Sequence, residues 1–135
     1  MKNFQRVVCL LIAGVWIFHG LFSKILGGIP RHELIVARIL GDSIASSATP
    51  LIGFGEIVLG CWVLSGYRRR LNASFQTLAL VSMNSLEIIL APDLLISPVG
   101  MVLLNLCFIA LIWWWATSGK SPQPANLDGS ARAKN

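Results

Sequence analysis

Apolar residues fall into four runs along the chain, separated by short polar connections. The runs cover residues 7 to about 23, 50–67, 73 to about 90, and 98–117. Each approaches the roughly 20 residues with which an α-helix crosses about 30 Å of hydrocarbon, at about 1.5 Å per residue. The pattern therefore predicts four transmembrane helices.

The connection between the first two runs, residues 27–47, is too polar to span a membrane. Its pattern predicts a turn followed by a short amphipathic helix, which we expect to lie on the outer membrane face or to cap the bundle there. His32 and Glu33, near the start of this helix, are expected to be interfacial polar residues. The apolar side of the helix consists of Leu34, Ile35, Ala37, Ile39 and Leu40.

Composition excludes a soluble protein. Hydrophobic residues make up 55% of the chain and charged residues 13%, with a mean hydropathy of +0.70. Soluble domains average about 25% charged residues, so this chain lacks their polar surface. We therefore predict an all-α integral membrane bundle over residues 1–117, embedded in the lipid bilayer, and a disordered cytoplasmic tail over residues 118–135.

The net charge of +5 indicates topology rather than nucleic-acid binding. Basic residues lie in short clusters between apolar runs, without the aromatic-interleaved stripe of a nucleic-acid interface. Lys2 and Arg6 precede the first run, arginines fill positions 68–70, and the tail is basic. The positive-inside rule then places both termini in the cytoplasm, with an uncleaved first helix. Tryptophans at 113–115 fit an aromatic belt on the cytoplasmic side.

Glu56 is a carboxylate inside the second apolar run. At 3.6 residues per turn, Gly53, Glu56 and Gly60 share one helical face, so that face can approach another helix closely. Ionisable groups inside a bilayer are rare and usually face the bundle interior, where a partner or a function retains them. Glu56 is therefore the starting point for a candidate site.

Counting residues along the predicted helices places further polar groups near the depth of Glu56, in the outer half of the bilayer. All four helices contribute to this layer, and the convergence is the strongest indication of a site in the sequence. The layer consists of His19, Lys24, Glu56, Asn84, Glu87 and Asn105.

The layer has two interpretations. In the first, its members only satisfy one another: Lys24 pairs with Glu56 or Glu87, and His19 and the asparagines form interhelical hydrogen bonds, which average about 0.6 kcal/mol. In the second, two carboxylates facing one lysine leave a spare negative charge, which favours a protonated His19 or a bound ligand in a cavity. Which residues would be catalytic is unknown from the sequence.

No metal site is predicted. Cys9, Cys61 and Cys107 stand singly inside apolar runs and are interpreted as buried thiols. His19 has no second intramembrane histidine in this chain with which to hold a haem.

Several short segments carry a resemblance to a known family. HGLFSKILG ends the first helix, HEL lies in the connection, GFGEIVLG lies in the second helix, and SPVG with NL opens the fourth. Over roughly residues 6–115 the chain resembles the DoxX-like family of small four-helix bacterial membrane proteins. By this resemblance Lys24 and Glu56 correspond to the family's characteristic lysine and glutamate, and His19 and His32 to histidines of one branch.

The resemblance implies a bacterial inner (plasma) membrane. It also implies a loose link to quinone-dependent redox chemistry, through a membrane subunit of a thiosulfate:quinone oxidoreductase. The sequence has no flavin, haem or iron–sulfur motif, so we do not predict a stand-alone enzyme. The first hypothesis is an anchor or scaffold subunit for a membrane or peripheral protein partner. The alternatives are a subunit that binds a quinone or another small molecule through the His/Lys/Glu layer, and a small proton-coupled transporter. A homo-oligomer stays open.

Overall fold

The protein was described with a computed structural model covering residues 2–119, which holds helices and short connections and no strand within that range. Of the predicted tail over residues 118–135, Ser118 belongs to the last helix, and the residues from 120 onward lie outside the described range. In chain order the elements are α1 (Lys2–Phe18), a π-helical turn (His19–Ile25), α2 (Pro30–Leu40), α3 (Asp42–Ser65), α4 (Arg69–Leu90), a 3₁₀ turn (Pro92–Leu94) and α5 (Pro98–Ser118).

Four helices are long and apolar enough to cross a membrane, which confirms the predicted count. They are Lys2–Ile25, Asp42–Ser65, Arg69–Leu90 and Pro98–Ser118. The remaining helix, α2, lies between the first two spans, where the amphipathic helix was predicted. The fold is therefore an all-α membrane bundle with one short non-spanning helix.

The second span begins earlier than its apolar run indicates. Helix α2 ends at Leu40, and the chain enters α3 at Asp42 after the single residue Gly41. The φ of 96° and ψ of 151° at Gly41 suit glycine. Pro50, where the run begins, therefore lies inside α3, and its missing N–H removes one backbone hydrogen bond. The polar first turns of α3 concealed this start from a hydropathy pattern.

Glycines bring α1 and α3 close together. A Cβ atom on Gly53 would lie 2.6 Å from the Gly20 carbonyl oxygen, and one on Gly60 would lie 2.8 Å from Cγ1 of Ile17. Neither position accepts a side chain without displacing its neighbour. The predicted face of Gly53, Glu56 and Gly60 therefore does meet another helix closely, and that helix is the first span.

The two ends of the bundle differ in what they hold. Gln5 Nε2 donates a hydrogen bond to the Ser118 carbonyl oxygen at 2.7 Å, so the first and last described turns lie together. This end also holds the arginines at 68–70, and we call it the Arg end. The opposite end holds α2 and the Pro92–Leu94 turn, and we call it the α2 end.

The apolar core lies toward the Arg end. It is built where α1, α3, α4 and α5 meet, and most other large apolar side chains point outward, as expected for helices in lipid. Its largest members are Ile12, Trp16, Val63, Ile112 and Trp115.

Two expectations about individual side chains are wrong. Trp115 is only 1% exposed and packs in the core beneath the guanidinium of Arg69, which lies 5.0 Å from its ring centroid, so it does not belong to an interfacial belt. Cys61 and Cys107 are exposed on the outside of the bundle rather than buried. Both errors arise because an apolar run does not show which side of its helix faces neighbours.

Candidate functional site

A buried ion pair joins the first and second spans at the α2 end. Lys24 lies in the π-helical turn, and its Nζ donates to both carboxylate oxygens of Glu56, at 2.8 and 2.9 Å. Both side chains are only 7% exposed. Of the two pairings that the sequence allowed, the structure has Lys24 with Glu56. The wider π-helical turn is a feature often found at functional sites.

The third and fourth spans are joined by their asparagines at the same end. Asn105 Nδ2 on α5 donates to Asn84 Oδ1 on α4 at 2.8 Å. This bond accounts for one donor and one acceptor, and each amide retains further hydrogen-bonding capacity.

Two histidines stack at the α2 end. The rings of His19, in the π-helical turn, and His32, on α2, have centroids 6.0 Å apart and planes inclined by 29°. His32 Nδ1 is buried and has no hydrogen-bond partner among the described residues. His32 thus faces inward, whereas its position in the sequence predicted an interfacial residue.

Burial lowers the pKa of His32 to about 4, assisted by the positive charge of Lys24 and by His19 and Arg31. The imidazole is therefore neutral at pH 7, with one ring nitrogen as donor and the other as acceptor. A neutral ring suits hydrogen bonding to a ligand better than charge pairing.

A cavity of about 490 Å³ opens between these groups. All six residues of the predicted layer line it, and so do Arg31 and His32, which the site prediction missed. Apolar side chains such as Leu80, Leu104 and Phe108 form other parts of its wall. The volume falls in the range of about 300–1,000 Å³ that small-molecule sites occupy.

Arg31 and His32 were missed because they lie in the polar connection, whose residues were assigned to the membrane surface. Pro30 begins α2, as proline commonly does, and directs the next two residues into the first turn above the bundle. The HEL segment was the available signal, although nothing in its spacing indicated that α2 folds inward.

A smaller cavity of about 150 Å³ shares Lys24, His32 and Glu87 with the larger one. Its other lining residues are mostly apolar and come from α2, α3 and α4. The polar groups at the α2 end therefore border two adjoining spaces that reach beneath α2.

A second polar cluster was not predicted. Trp16 Nε1 on α1 donates to Gln76 Oε1 on α4 at 2.7 Å, and Gln76 Nε2 donates to Asn72 Oδ1 one turn away. Gln76 and Asn72 are completely buried, and Asn72 Nδ2 has no acceptor among residues 2–119. The available signal was two amide side chains four residues apart in an apolar helix, which place them on one face.

Within residues 2–119, no three His, Cys, Asp or Glu side chains come together in an arrangement that could hold a metal ion. The polar side chains at the α2 end can form hydrogen bonds, compensate charge and exchange protons.

A family model described as the DoxX-like family matches residues 13–113, which extends from α1 nearly to the end of α5 and includes every residue that lines the larger cavity. No curated protein and no solved structure matches the chain.

Proposed function

Because the chain belongs to the DoxX-like family of membrane proteins, we propose that it is a membrane subunit that binds a lipid-soluble small molecule of the quinone class. The binding site is the cavity at the α2 end. The observation that supports this function is a space of about 490 Å³ bordered by charged, amide and imidazole groups from every span.

Unfilled hydrogen-bonding capacity favours binding over a purely structural layer. Arg31 Nε and His32 Nδ1 are buried without partners among the described residues, and the Glu87 side chain makes no hydrogen bond there. Leaving a buried donor or acceptor unsatisfied costs about 1–3 kcal/mol. A ligand that supplies the missing partners would recover part of that cost.

The residues divide into two roles under this proposal. Glu56 holds Lys24 in place, and the lysine keeps one further N–H to donate to a carbonyl oxygen. His19, Asn84 and Glu87 are available to orient the ligand head. His19 and Glu87 can also exchange protons with it, a role that intramembrane acids often take.

The test is equilibrium binding of a short-chain ubiquinone analogue to the purified protein in lipid nanodiscs. Asn84→Leu removes a cavity amide and should weaken binding roughly fivefold, because one hydrogen bond contributes about 1 kcal/mol. Thr77→Val is the matched control, since Thr77 lies on the same helix outside the cavity and bonds to Trp113 Nε1. Saturable binding that neither variant alters would place the analogue elsewhere, and absence of saturable binding would refute the proposal.

A second candidate is an anchor or scaffold subunit for a redox partner. It is favoured by the Lys24–Glu56 pair, which is buried and satisfied on both oxygens and joins two spans as a structural contact would. This candidate expects a protein partner to remain bound during purification in mild detergent. Recovery of the chain alone at native abundance would count against it.

The proposed location is a bacterial inner membrane with the Arg end in the cytoplasm. It is supported by the arginines at 68–70 and by the contact between Gln5 and Ser118 at that end. Fusions of green fluorescent protein and of alkaline phosphatase after residue 119 test it. Fluorescence without phosphatase activity is expected, and the reverse would invert the topology.

A further inference from the structure

The charges around the larger cavity can be accounted for one by one. Its lining contains two basic side chains, Lys24 and Arg31, and two acidic ones, Glu56 and Glu87. Lys24 and Glu56 compensate each other through the bidentate contact. Arg31 and Glu87 are left as the charged groups available to a ligand.

These two groups are not satisfied by the protein around them. Among the described residues neither side chain makes a hydrogen bond, and the two do not form a salt bridge with each other. They come from different elements, α2 and α4, and both border the same space. A guanidinium has hydrogen-bond donors only, so Arg31 requires an acceptor on the ligand. A carboxylate has acceptors only, so Glu87 requires a donor.

The histidines do not change this balance. His32 is neutral at pH 7 because burial and the neighbouring cations lower its pKa to about 4. Where Glu87 is ionised, it balances Arg31, and the lining then carries no net charge at its α2 side. An anionic ligand would satisfy Arg31 and be repelled by Glu87, and a cationic ligand would do the reverse.

We infer that the cavity selects an uncharged amphiphile that presents an oxygen acceptor to Arg31 and a hydroxyl donor to Glu87, with its apolar body against the aliphatic and aromatic wall. This inference rests on the proposed function and narrows it. Among molecules of the quinone class, the hydroxyl-bearing hydroquinone form meets both requirements, whereas the dicarbonyl form offers acceptors alone and leaves Glu87 without a donor.

The test compares three probes of similar size by calorimetry under anaerobic conditions in nanodiscs: 2-tert-butylhydroquinone, its dimethyl ether, and 4-tert-butylbenzoate. The hydroquinone should bind at least about tenfold more tightly than the ether, since a hydrogen bond to a charged group is worth about 1.5–3 kcal/mol. The benzoate anion should bind more weakly than the hydroquinone. Equal binding of hydroquinone and ether, or tighter binding of the benzoate, would overturn the inference.

The variants separate the two ends of the ligand. Glu87→Leu should abolish the preference for the hydroquinone over its ether, because neither compound then has a carboxylate to donate to. Arg31→Leu should weaken both compounds by a similar factor, since hydroxyl and ether oxygens both accept hydrogen bonds. Glu33→Leu and Arg38→Leu are the matched controls, because both residues are exposed on α2 outside the cavity, and both should behave as the parent protein.

The outcomes distinguish this inference from the function it rests on. If none of these probes nor the ubiquinone analogue binds saturably, the proposed function fails and the inference fails with it. If the ubiquinone analogue binds but the hydroquinone has no advantage over its ether, the proposed function stands and the inference is wrong.

Direct pairing of Arg31 with Glu87 in the ligand-free protein would also overturn the inference. The midpoints of thermal unfolding of Arg31→Leu, Glu87→Leu and the double variant test this without any ligand. The inference expects the two single shifts to add. A double variant that is clearly more stable than the sum would show that the two residues already satisfy each other.

Discussion

The two polar regions of this bundle use similar side chains in opposite ways. Toward the Arg end, Trp16, Gln76 and Asn72 form a chain of hydrogen bonds inside the packed core, with Gln76 and Asn72 completely buried. At the α2 end, polar groups border open space and several have no partner in the described protein. Trp16 belongs to both regions, since it also lines the larger cavity.

Buried polar side chains in a membrane protein therefore do not by themselves indicate a ligand-binding site. A network whose donors mostly meet acceptors and whose volume is filled stabilises and orients helices. Polar side chains that line a cavity and lack hydrogen-bond partners can instead bind a ligand that enters the cavity. Perturbing the two regions should therefore give different results.

The largest loss of stability is expected on breaking the Lys24–Glu56 ion pair, which is buried and hydrogen-bonded like the core network. Lys24→Met leaves Glu56 buried without its cation and should destabilise the protein by about 3–5 kcal/mol, with a large loss of folded yield. Fluorescence-detected size-exclusion chromatography after a temperature series measures it. The double variant Lys24→Met/Glu56→Met, which removes both charges, should recover most of the stability, and a double variant as unstable as the single would contradict this explanation.

Gln76→Leu should destabilise the bundle by about 1–3 kcal/mol and leave ligand binding unchanged. It removes the acceptor of Trp16 Nε1 and the donor to Asn72 Oδ1, both of which then stay buried. Ser74→Ala, at an exposed position of the same helix, is the control and should have little effect. A loss of ligand binding at unchanged stability would mean that the core network is functional as well.

Acidification should destabilise the α2 end through His32. Its folded pKa of about 4 lies below the unfolded value of 6.5, so the unfolded chain binds more protons between these values. The contribution is therefore fully present above pH 6.5 and is lost as the pH falls toward 4. Between pH 7 and pH 5 the unfolding temperature should fall more in the parent protein than in His32→Phe. Parallel curves would show that the pKa of His32 is the same in the folded and unfolded protein, so that His32 does not contribute to the pH dependence of stability.

The smallest effect is expected from the exposed pair that ties α2 to the Pro92–Leu94 turn. Arg38 donates to both oxygens of Asp93 at 2.9 and 3.2 Å, but the side chains are 47% and 59% exposed. Exposed pairs contribute about 0–1 kcal/mol, so Arg38→Gln should barely change the unfolding temperature. High salt should remove even this small change in unfolding temperature. A large loss of stability in Arg38→Gln would instead show that this contact controls the position of α2.

The spans could be predicted from sequence because lipid requires long apolar helices, and four runs met that requirement. Counting residues along those helices predicted similar depths for Lys24, Glu56, Asn84 and Asn105, and all four line the larger cavity. Helical rise gives a depth without long-range information, so this prediction needed only the amino-acid order.

The contribution of α2 to the cavity could not be predicted, because it depends on how this helix packs against the bundle. Nothing local in PRHEL shows whether its first turn faces solvent or folds over the bundle, and that decides whether Arg31 and His32 border the cavity. The Gln76 network was missed for a related reason. Its partner Trp16 is 60 positions away, and only tertiary packing brings the two together.

The proposed binding function is tested most directly by asking whether the α2-end cavity holds a small molecule when the protein is isolated from membranes. Lipid-soluble molecules that co-purify with the parent protein, Met83→Trp and Leu78→Trp would be extracted and quantified by mass spectrometry. Met83 lines both cavities, so a tryptophan there fills the space, whereas Leu78 lies on the same helix with 64% of its surface exposed. We expect a molecule that is retained by the parent protein and by Leu78→Trp and is lost from folded Met83→Trp. Equal retention by folded Met83→Trp, or no such molecule in the parent protein, would contradict it.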